Sequence, residues 1–253
     1  MSKGPTLLIL GGTTEARDLA EQVAQAGIPA LYSYAGRTAE PEGLPIPTRI
    51  GGFGGTDGLA TYLEETGITH IVDATHPFAK TISRNAVLAS DRTGVPLIAL
   101  TRPEWEAAEG DVWINAPDMH VAVAALDTEP QRIFLAIGRK EIGLFATKPQ
   151  HFYLLRLVDA PSTPPPFPNH EVVVAKGPFN EADDLALLQQ HQIGLVVAKN
   201  SGGDGARAKI DAARRLGLPI LMIDRPTLPE RREAHSVRDV LDWVTHTGTE
   251  RGV

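Results

Sequence analysis

The chain has 253 residues with 24 Lys and Arg against 31 Asp and Glu, a formal net charge of −7 and no cysteine. The length permits one large α/β domain or two smaller ones, and the lack of cysteine excludes disulfides, thiol catalysis and thiolate metal sites and favours a reducing, cytoplasmic location. An acidic chain without a basic tract is not expected to bind nucleic acid, and without a signal-peptide core or an apolar run of about 18 residues it is not expected to enter a membrane.

The first predicted strand, residues 6–10, is a short apolar run of the kind found in parallel strands buried on both faces. It continues into the turn Gly11-Gly12-Thr13-Thr14, and a helix is predicted from Glu15 onward. This order opens a nucleotide-binding βαβ unit, in which the helix N-terminus binds phosphate and glycines allow close approach. Against the fingerprint G-x-G-x-x-G/A, the first Gly and the final Ala16 fit, but Thr13 replaces the middle Gly. The Thr13 hydroxyl would bind a phosphate or cap the helix, and a turn without a ligand is the alternative.

The second predicted strand, residues 30–34, has no acidic residue at its end but is followed by Arg37. In dinucleotide-binding folds an acid at this point binds the ribose 2′-hydroxyl of NAD, whereas a nearby Arg suits the 2′-phosphate of NADP. Arg37 therefore predicts NADPH rather than NADH as the cofactor. The alternative is an arginine that is simply solvated at the surface.

A third strand (48–50), a helix (56–65) and a fourth strand (69–73) follow, and the fourth strand ends in Asp73-Ala74-Thr75-His76-Pro77-Phe78. Ligands in open α/β sheets bind beyond the carboxyl ends of the strands, where this segment is expected to lie. His76 is the candidate catalytic side chain, for contact with a nicotinamide or for giving a proton, and no other catalytic residue is assigned. A histidine that caps a helix is the alternative, and we favour it over proton transfer.

A helix (78–91) and a fifth strand (96–100) lead to Arg102 and Trp105. This pair would suit a flat, anionic ligand through an ion pair and stacking, or would simply pack a loop. Around residues 112–118 the chain is expected to cross into a second unit. We therefore predict one lobe over residues 1–115 and another over residues 116–253.

The second half repeats the order of apolar strand, glycine-containing turn with a cation, and helix. Cationic side chains follow its predicted strands at Arg139 and Lys140, at Lys176 and at Lys199. In an acidic protein, cations at equivalent strand ends indicate a site for an anionic ligand, although they would also serve as ordinary edge charges. The elements predicted here are a helix over 117–126, strands over 132–137, 152–158, 172–175, 194–198 and 219–223, helices over 181–191, 206–216 and 236–246, and a Pro-rich connector over 160–168.

Several enzyme signatures are absent from the sequence. It has no Tyr-x-x-x-Lys pair of short-chain dehydrogenases, no G-x-x-x-x-G-K-[ST] phosphate loop and no G-x-S-x-G nucleophile elbow. Its histidines lack the spacing of a metal site, so no metal is predicted.

Four stretches considered together carry a resemblance to a known family. They are Gly11-Gly12-Thr13-Thr14-Glu15-Ala16-Arg17, Asp73-Ala74-Thr75-His76-Pro77-Phe78-Ala79, Arg102-Pro103-Glu104-Trp105 and Lys199-Asn200-Ser201-Gly202-Gly203. With them the chain resembles, nearly end to end, the precorrin-6A reductase family of cobalamin biosynthesis, the CobK/CbiJ type. The second and fourth stretches are the distinctive ones.

The resemblance implies NADPH-dependent reduction of one double bond in an anionic tetrapyrrole, precorrin-6A, with a hydride added to one ring carbon and a proton to its neighbour, to give precorrin-6B. It also implies an α/β fold of two interlocked Rossmann-like lobes with mostly parallel sheets. The residues implied for NADPH or NADP are Gly11, Gly12, Thr13, Thr14, Glu15, Arg37, Thr75 and His76. Those implied for the substrate are Arg102, Trp105, Arg139, Lys140, Lys176, Lys199, Ser201 and Gly202.

Two other functions would keep the cofactor site. One is an NADP-dependent reductase of another small anionic metabolite. The other is a non-enzymatic NADP-binding redox sensor, which would not need the cations of the second half. The sequence predicts neither the presence of cobalt in the substrate nor an oligomeric state.

Overall fold

The computed structural model describes residues 4–34 and 43–249, so Arg37 lies outside the described residues. Within those ranges the chain forms two six-stranded sheets in which neighbouring strands run parallel. Parallel pairing requires crossover connections, and helices supply most of them. The predicted class, an α/β fold with two parallel-sheet units, is confirmed. None of the helices in the described ranges is both long enough and apolar enough to cross a bilayer.

The elements follow one another as alternating strands and helices for most of the chain. The strands are β1 (Leu7–Leu10), β2 (Ala30–Tyr34), β3 (Thr48–Ile50), β4 (His70–Asp73), β5 (Leu97–Leu100), β6 (Val112–Ala116), β7 (Arg132–Ala136), β8 (Phe152–Leu157), β9 (His170–Val174), β10 (Leu195–Lys199), β11 (Pro219–Ile223) and β12 (Arg232–Ala234). The helices are α1 (Thr14–Gln25), α2 (Gly55–Thr66), α3 (Lys80–Thr93), α4 (Met119–Ala124), α5 (Glu181–Gln190), α6 (Ala208–Leu216) and α7 (Val237–Thr249), with a 3-10 helix over Ile142–Thr147.

The first unit comprises the described residues up to Arg102 and those from Thr227 onward, with the strand order β12-β5-β4-β1-β2-β3. Its centre is β1, whose residues are all apolar and buried. Because side chains alternate along a strand, Leu7 and Ile9 join a core cluster with α1 and α7, whereas Leu8 and Leu10 join one with α2 and α3. Burial on both faces explains the continuous apolar run that predicts this strand.

The second unit, Pro103–Pro226, contains the sheet β6-β11-β10-β7-β8-β9. Apolar side chains of its central strands, such as Phe134 of β7 and Val196 of β10, pack with Leu188 of α5 and Ile210 of α6. This unit therefore has its own hydrophobic core, as an independent α/β layer requires.

Two strands lie where the sequence predicts none. β6 is an edge strand whose Val112 and Ile114 are about half exposed, and β12 reads Arg-Glu-Ala, so neither has a buried apolar run. As a result the two units differ from the predicted lobes of 1–115 and 116–253. β6 belongs to the second sheet, and the end of the chain returns to pair β12 with β5 of the first. Pairing between segments so distant in sequence leaves no local pattern to predict it.

Each sheet has one point at which the strand order changes direction. In the first sheet the chain moves from β1 to β2 and β3, and then begins again at β4 on the other side of β1. In the second it moves from β7 to β8 and β9, and begins again at β10 on the other side of β7. Connections that leave in opposite directions open a crevice beyond the carboxyl ends of the two strands, which is the usual ligand position in such sheets.

Candidate functional site

The glycine-rich turn after β1 is built against the side chain of Tyr32 from β2. Tyr32 is fully buried, and its hydroxyl accepts a 2.8 Å hydrogen bond from the amide of Gly12. A Cβ on Gly11 would lie 2.0 Å from Tyr32 Cζ, so only glycine fits there. Gly12 has a φ of +122°, and a Cβ on it would meet nothing within 4 Å. The turn is therefore closed on the side of Tyr32 and open at Gly12, as the approach of a phosphate requires.

Thr13 caps the first helix. Its Oγ1 accepts a 3.1 Å hydrogen bond from the amide of Ala16 and donates a 2.8 Å bond to the carbonyl of Ala74. Of the two roles considered for this hydroxyl, the structure favours capping, because its single proton is already used within the protein. The bond to Ala74 also joins the glycine-rich turn to the segment after β4.

The first turn of α1 presents amides that the rest of the described chain leaves unpaired. Those of Thr14 and Glu15 have no hydrogen-bond partner there, as is usual at a helix N-terminus. The Glu15 carboxylate would repel a phosphate, but it forms a 2.9 Å ion pair with Nε of Arg102. Arg102 thus lies beside the glycine-rich turn, in the first unit, whereas Trp105 belongs to the second. With Glu15 neutralised, the positive end of the α1 dipole favours an anion at this point.

The segment after β4 is folded around the carboxylate of Asp73, which is 3% exposed. Its Oδ1 accepts bonds from the amide of Thr75 at 3.2 Å and from the hydroxyl of Thr75 at 2.7 Å. His76 is exposed, and its Nδ1 accepts a 3.2 Å bond from the amide of Phe78. That contact lies in the turn before α3, whose N-cap residue is Ala79 and receives no side-chain cap bond. His76 therefore holds a local turn and does not cap a helix, which is the alternative we favoured over proton transfer.

Arg231 is the residue of this region that the sequence analysis missed. Its Nη1 lies 2.7 Å from Asp73 Oδ2, and its Nε lies 3.3 Å from Oε1 of Glu233. Asp73 and Arg231 are 158 positions apart in sequence. Nothing local to either residue predicts the pair, which follows only from the return of the chain to the first sheet.

The cations of the second unit follow β7, β9 and β10. Because the carboxyl ends of parallel strands share one edge of a sheet, these side chains lie along the same edge. Arg139, Lys140 and Lys176 are exposed, and Arg139 Nη2 lies 3.4 Å from Oγ of Ser162. Lys199 forms an ion pair with Glu141. The structure thus brings the predicted cations to one edge of the sheet, where the ammonium of Lys199 is already paired with the carboxylate of Glu141.

The loop after β10 is held by Trp105. Asn200 Oδ1 accepts a 2.8 Å bond from the amide of Trp105, and Asn200 Nδ2 donates a 3.0 Å bond to its carbonyl. The indole N–H donates to the carbonyl of Gly203 at 2.9 Å, and the ring is 5% exposed within the core of the unit. For Trp105 the structure therefore favours packing a loop over stacking on a ligand.

Ser201 and Gly202 are buried in the same loop. The guanidinium of Arg225 donates to the carbonyls of Asn200 at 3.0 Å and Ser201 at 3.2 Å. The backbone of Gly202 lies so close to Pro103 that an added Cβ would be 2.0 Å from its carbonyl oxygen. The conformation of this loop is therefore closely specified by the protein itself.

A buried amine lies against the same loop. Lys209 of α6 is 4% exposed; its Nζ donates to the carbonyl of Ala206 and lies 4.7 Å from the ring centroid of Trp105. Burial, helped by the nearby guanidinium of Arg156, lowers the pKa of Lys209 from 10.5 to about 7, while the carboxylate of Asp184 acts in the opposite direction. Arg156 and Asp184 form an ion pair with each other.

Lys209→Met is expected to change how stability depends on pH. Between about pH 7 and 10.5 the unfolded chain binds more protons at Lys209 than the folded chain does, so this lysine makes the free energy of unfolding rise with pH. Below that window both states are protonated, and the folded chain bears the full cost of a buried ammonium. Urea unfolding at about pH 7 and about pH 9 should show that the variant has lost this upward slope and is at least as stable as the wild type at the lower pH. The control Lys80→Met, at an exposed position, should keep the rise of the free energy of unfolding with pH. If Lys209→Met also kept that rise, the lowered pKa of Lys209 would not be its cause.

Known proteins match this chain over nearly its whole length. The profile of the family described as precorrin-6x reductase CbiJ/CobK matches residues 6–245. Precorrin-6A reductase of Rhodobacter capsulatus is 52% identical over 248 residues, which are 98% of this chain and 99% of that protein. Cobalt-precorrin-6A reductase of Priestia megaterium is 31% identical over 256 residues, covering 95% of this chain and 96% of that protein. A solved structure described as CobK precorrin-6A reductase matches with a TM-score of 0.90 and 51% identity, over 96% of this chain and 97% of that one.

Proposed function

Because this chain belongs to the precorrin-6x reductase CbiJ/CobK family of cobalamin biosynthesis, we propose that it catalyses the NADPH-dependent reduction of precorrin-6A to precorrin-6B. The relatives named above are reductases of precorrin-6A or its cobalt form. The choice of cofactor and the product are the parts that this proposal adds.

The observation that carries the proposal is the first turn of α1. Unpaired amides at Thr14 and Glu15 stand beside the open space at Gly12, where a Cβ would meet nothing within 4 Å. Backbone donors, a positive dipole end and the lack of a side chain are what a dinucleotide pyrophosphate needs. We assign phosphate binding to residues 11–15. Thr75 and His76, which follow the neighbouring strand β4, are assigned to the nicotinamide side.

NADPH, when bound, supplies the hydride for one double bond of the macrocycle. The extended conjugation of the macrocycle accepts that hydride, so the chain needs little acid–base machinery. Its residues have to hold cofactor and substrate in one geometry and exclude water. The capped turn at Thr13 and the hydrogen-bonded segment at Asp73 and Thr75 are suited to this because their polar groups already have partners within the protein.

The substrate is a flat ring with carboxylates around its rim, so its binding site should present several cations. The edge formed by the ends of β7, β9 and β10 carries Arg139, Lys140, Lys176 and Lys199 in a chain whose net charge is −7. Such a local concentration of positive charge attracts a multiply anionic ligand. We propose that these side chains bind rim carboxylates, with Ser201 and Gly202 as part of the same site.

Metal-free precorrin-6A is the proposed substrate rather than its cobalt form. Relatives named precorrin-6A reductase are 52% and 49% identical to this chain, whereas the relative from Priestia megaterium named for the cobalt form is 31% identical. Steady-state rates with each substrate and each reduced nucleotide test the proposal. The highest kcat/KM is expected for metal-free precorrin-6A with NADPH, and a preference for the cobalt form or for NADH would contradict it.

Arg37→Ala is expected to weaken NADPH binding by about 10- to 100-fold and to leave NADH binding nearly unchanged. The reason is the role proposed for Arg37, which follows the second strand in the sequence: charge-assisted hydrogen bonds to the 2′-phosphate that NADH lacks. Calorimetric titration with both nucleotides measures the two affinities. The control is Arg238→Ala, at an arginine whose side chain is 89% exposed, which should change neither. Equal loss of both nucleotides, or no loss, would remove Arg37 from the cofactor site.

A further inference from the structure

Asp73 sits where three strands of the first sheet are in register. It pairs with Ala99 of β5, and Ala99 pairs in turn with Glu233 of β12. The Asp73 side chain is 2% exposed, so its charge is almost completely removed from water. A carboxylate in such a position must be compensated by hydrogen bonds and an opposite charge.

The compensating charge comes from the far end of the chain. Arg231, whose side chain is 10% exposed, places its guanidinium between Asp73 and Glu233, across the intervening strand β5. The bond to Asp73 Oδ2 is 2.7 Å long. The other oxygen of Asp73, Oδ1, accepts hydrogen bonds from the amide and the hydroxyl of Thr75. Arg231 therefore determines the position of the carboxylate on which the Thr75 segment is folded.

The same segment is tied to the glycine-rich turn. The amide of Ala74 donates a 2.9 Å hydrogen bond to the carbonyl of Leu10. The carbonyl of Ala74 accepts a 2.8 Å hydrogen bond from the hydroxyl of Thr13. Thr13 in turn caps α1. Hydrogen bonds, together with the covalent backbone between Asp73 and Ala74, thus connect Arg231 to Thr13 and the first turn of α1.

From this continuity we infer that Arg231 is a positioning residue for the reductase: it holds, through Asp73, both loops at the point in the first sheet where the strand order changes direction. The inference rests on the proposed function, because those two loops are the ones assigned to NADPH. Arg231 itself needs no contact with either ligand. Removing its guanidinium leaves the buried carboxylate of Asp73 without its opposite charge, so the segment folded on that carboxylate has to move.

The test compares Arg231→Met with Asp73→Asn/Arg231→Met in calorimetric NADPH titrations, with thermal unfolding recorded for each protein. Arg231→Met should weaken NADPH at least about 10-fold. The double variant removes the carboxylate charge but keeps an oxygen that accepts hydrogen bonds from Thr75, so it should recover most of the affinity for NADPH, which a general loss of stability would not allow.

Arg92→Met is the matched control, since Arg92 forms a 2.6 Å ion pair with Asp57 in the same unit but on the exposed surface. It should bind NADPH as the wild type does. If Arg231→Met does not fold, Arg231→Lys and Thr75→Val replace it, and each should weaken NADPH. Wild-type affinity in the folded Arg231 or Thr75 variants would overturn the inference while leaving the proposed function in place. A wild-type protein that binds no NADPH would overturn both.

Discussion

Gly11→Ala is expected to destabilise the first unit by about 3 kcal/mol and to abolish measurable NADPH binding. The added methyl would lie 2.0, 2.2 and 2.3 Å from three ring and hydroxyl atoms of Tyr32. The tyrosine has little freedom to move away, because it is fully buried in the core cluster of α1 and its ring centroid is 4.6 Å from that of Tyr34. Displacing the ring would also break the bond from the Gly12 amide and so change the turn to which we assign the pyrophosphate.

Urea unfolding measures the stability loss, and calorimetric titration measures the loss of binding. Gly4→Ala serves as the control in the same unit, since a Cβ at this exposed position would meet nothing within 4 Å. It should leave both quantities unchanged. A Gly11→Ala protein with wild-type stability and NADPH affinity would show that Tyr32 does not define the turn.

Arg156→Met is expected to destabilise the second unit by about 3–5 kcal/mol, the usual effect of leaving one member of a buried ion pair unpaired. The side chains of Arg156 and Asp184 are 8% and 3% exposed. Oδ2 of Asp184 already has no hydrogen-bond partner in the described part of the chain. The nearby amine of Lys209, whose pKa is lowered to about 7, would replace the charge of the lost guanidinium only in part. Arg156 also covers the ring of Phe179 at 3.7 Å, so packing is lost as well.

The double variant Arg156→Met/Asp184→Leu should be more stable than Arg156→Met alone, because it removes the carboxylate that the single variant leaves unpaired in the apolar core. Denaturant unfolding of both variants gives the comparison. Arg215→Met is the matched control: Arg215 of α6 pairs at 3.3 Å with Glu181 of α5, the helix that also carries Asp184, but the side chains are 66% and 45% exposed. That change should cost less than about 1 kcal/mol. Equal effects at Arg156 and Arg215 would mean that burial of the first pair has no energetic consequence.

The buried strands could be predicted because their sequence and their environment agree. Residues 30–34 form a strand with the predicted bounds, and β1 differs from its prediction only in beginning one residue later. Runs of apolar residues followed by glycine turns are enough for such elements, since both sheet faces are covered. β12 could not be found in this way, because a three-residue edge strand with two charged residues has no apolar periodicity.

Much of the candidate site depends on contacts that no local pattern contains. The turn after β1 was predicted from its glycines, but the reason for Gly11, the ring of Tyr32, comes from the next strand. The role of Asp73 depends on Arg231, and the burial of Trp105 depends on Asn200, 95 positions away. Motif reasoning found the residues that follow the strand ends. The partners that hold these residues in place could not be predicted, because they are distant in sequence and meet them only when the whole chain has folded.

The central claim is that this chain transfers a hydride from NADPH to precorrin-6A. The most direct test uses NADPH that carries deuterium at one of its two C4 positions, with the purified protein and metal-free precorrin-6A under anaerobic conditions. We predict that label at one C4 position, but not at the other, appears in the macrocycle, with one deuterium gained for each NADPH oxidised. Oxidation of NADPH without deuterium in the macrocycle from either position, or no oxidation in the presence of precorrin-6A, would contradict the claim.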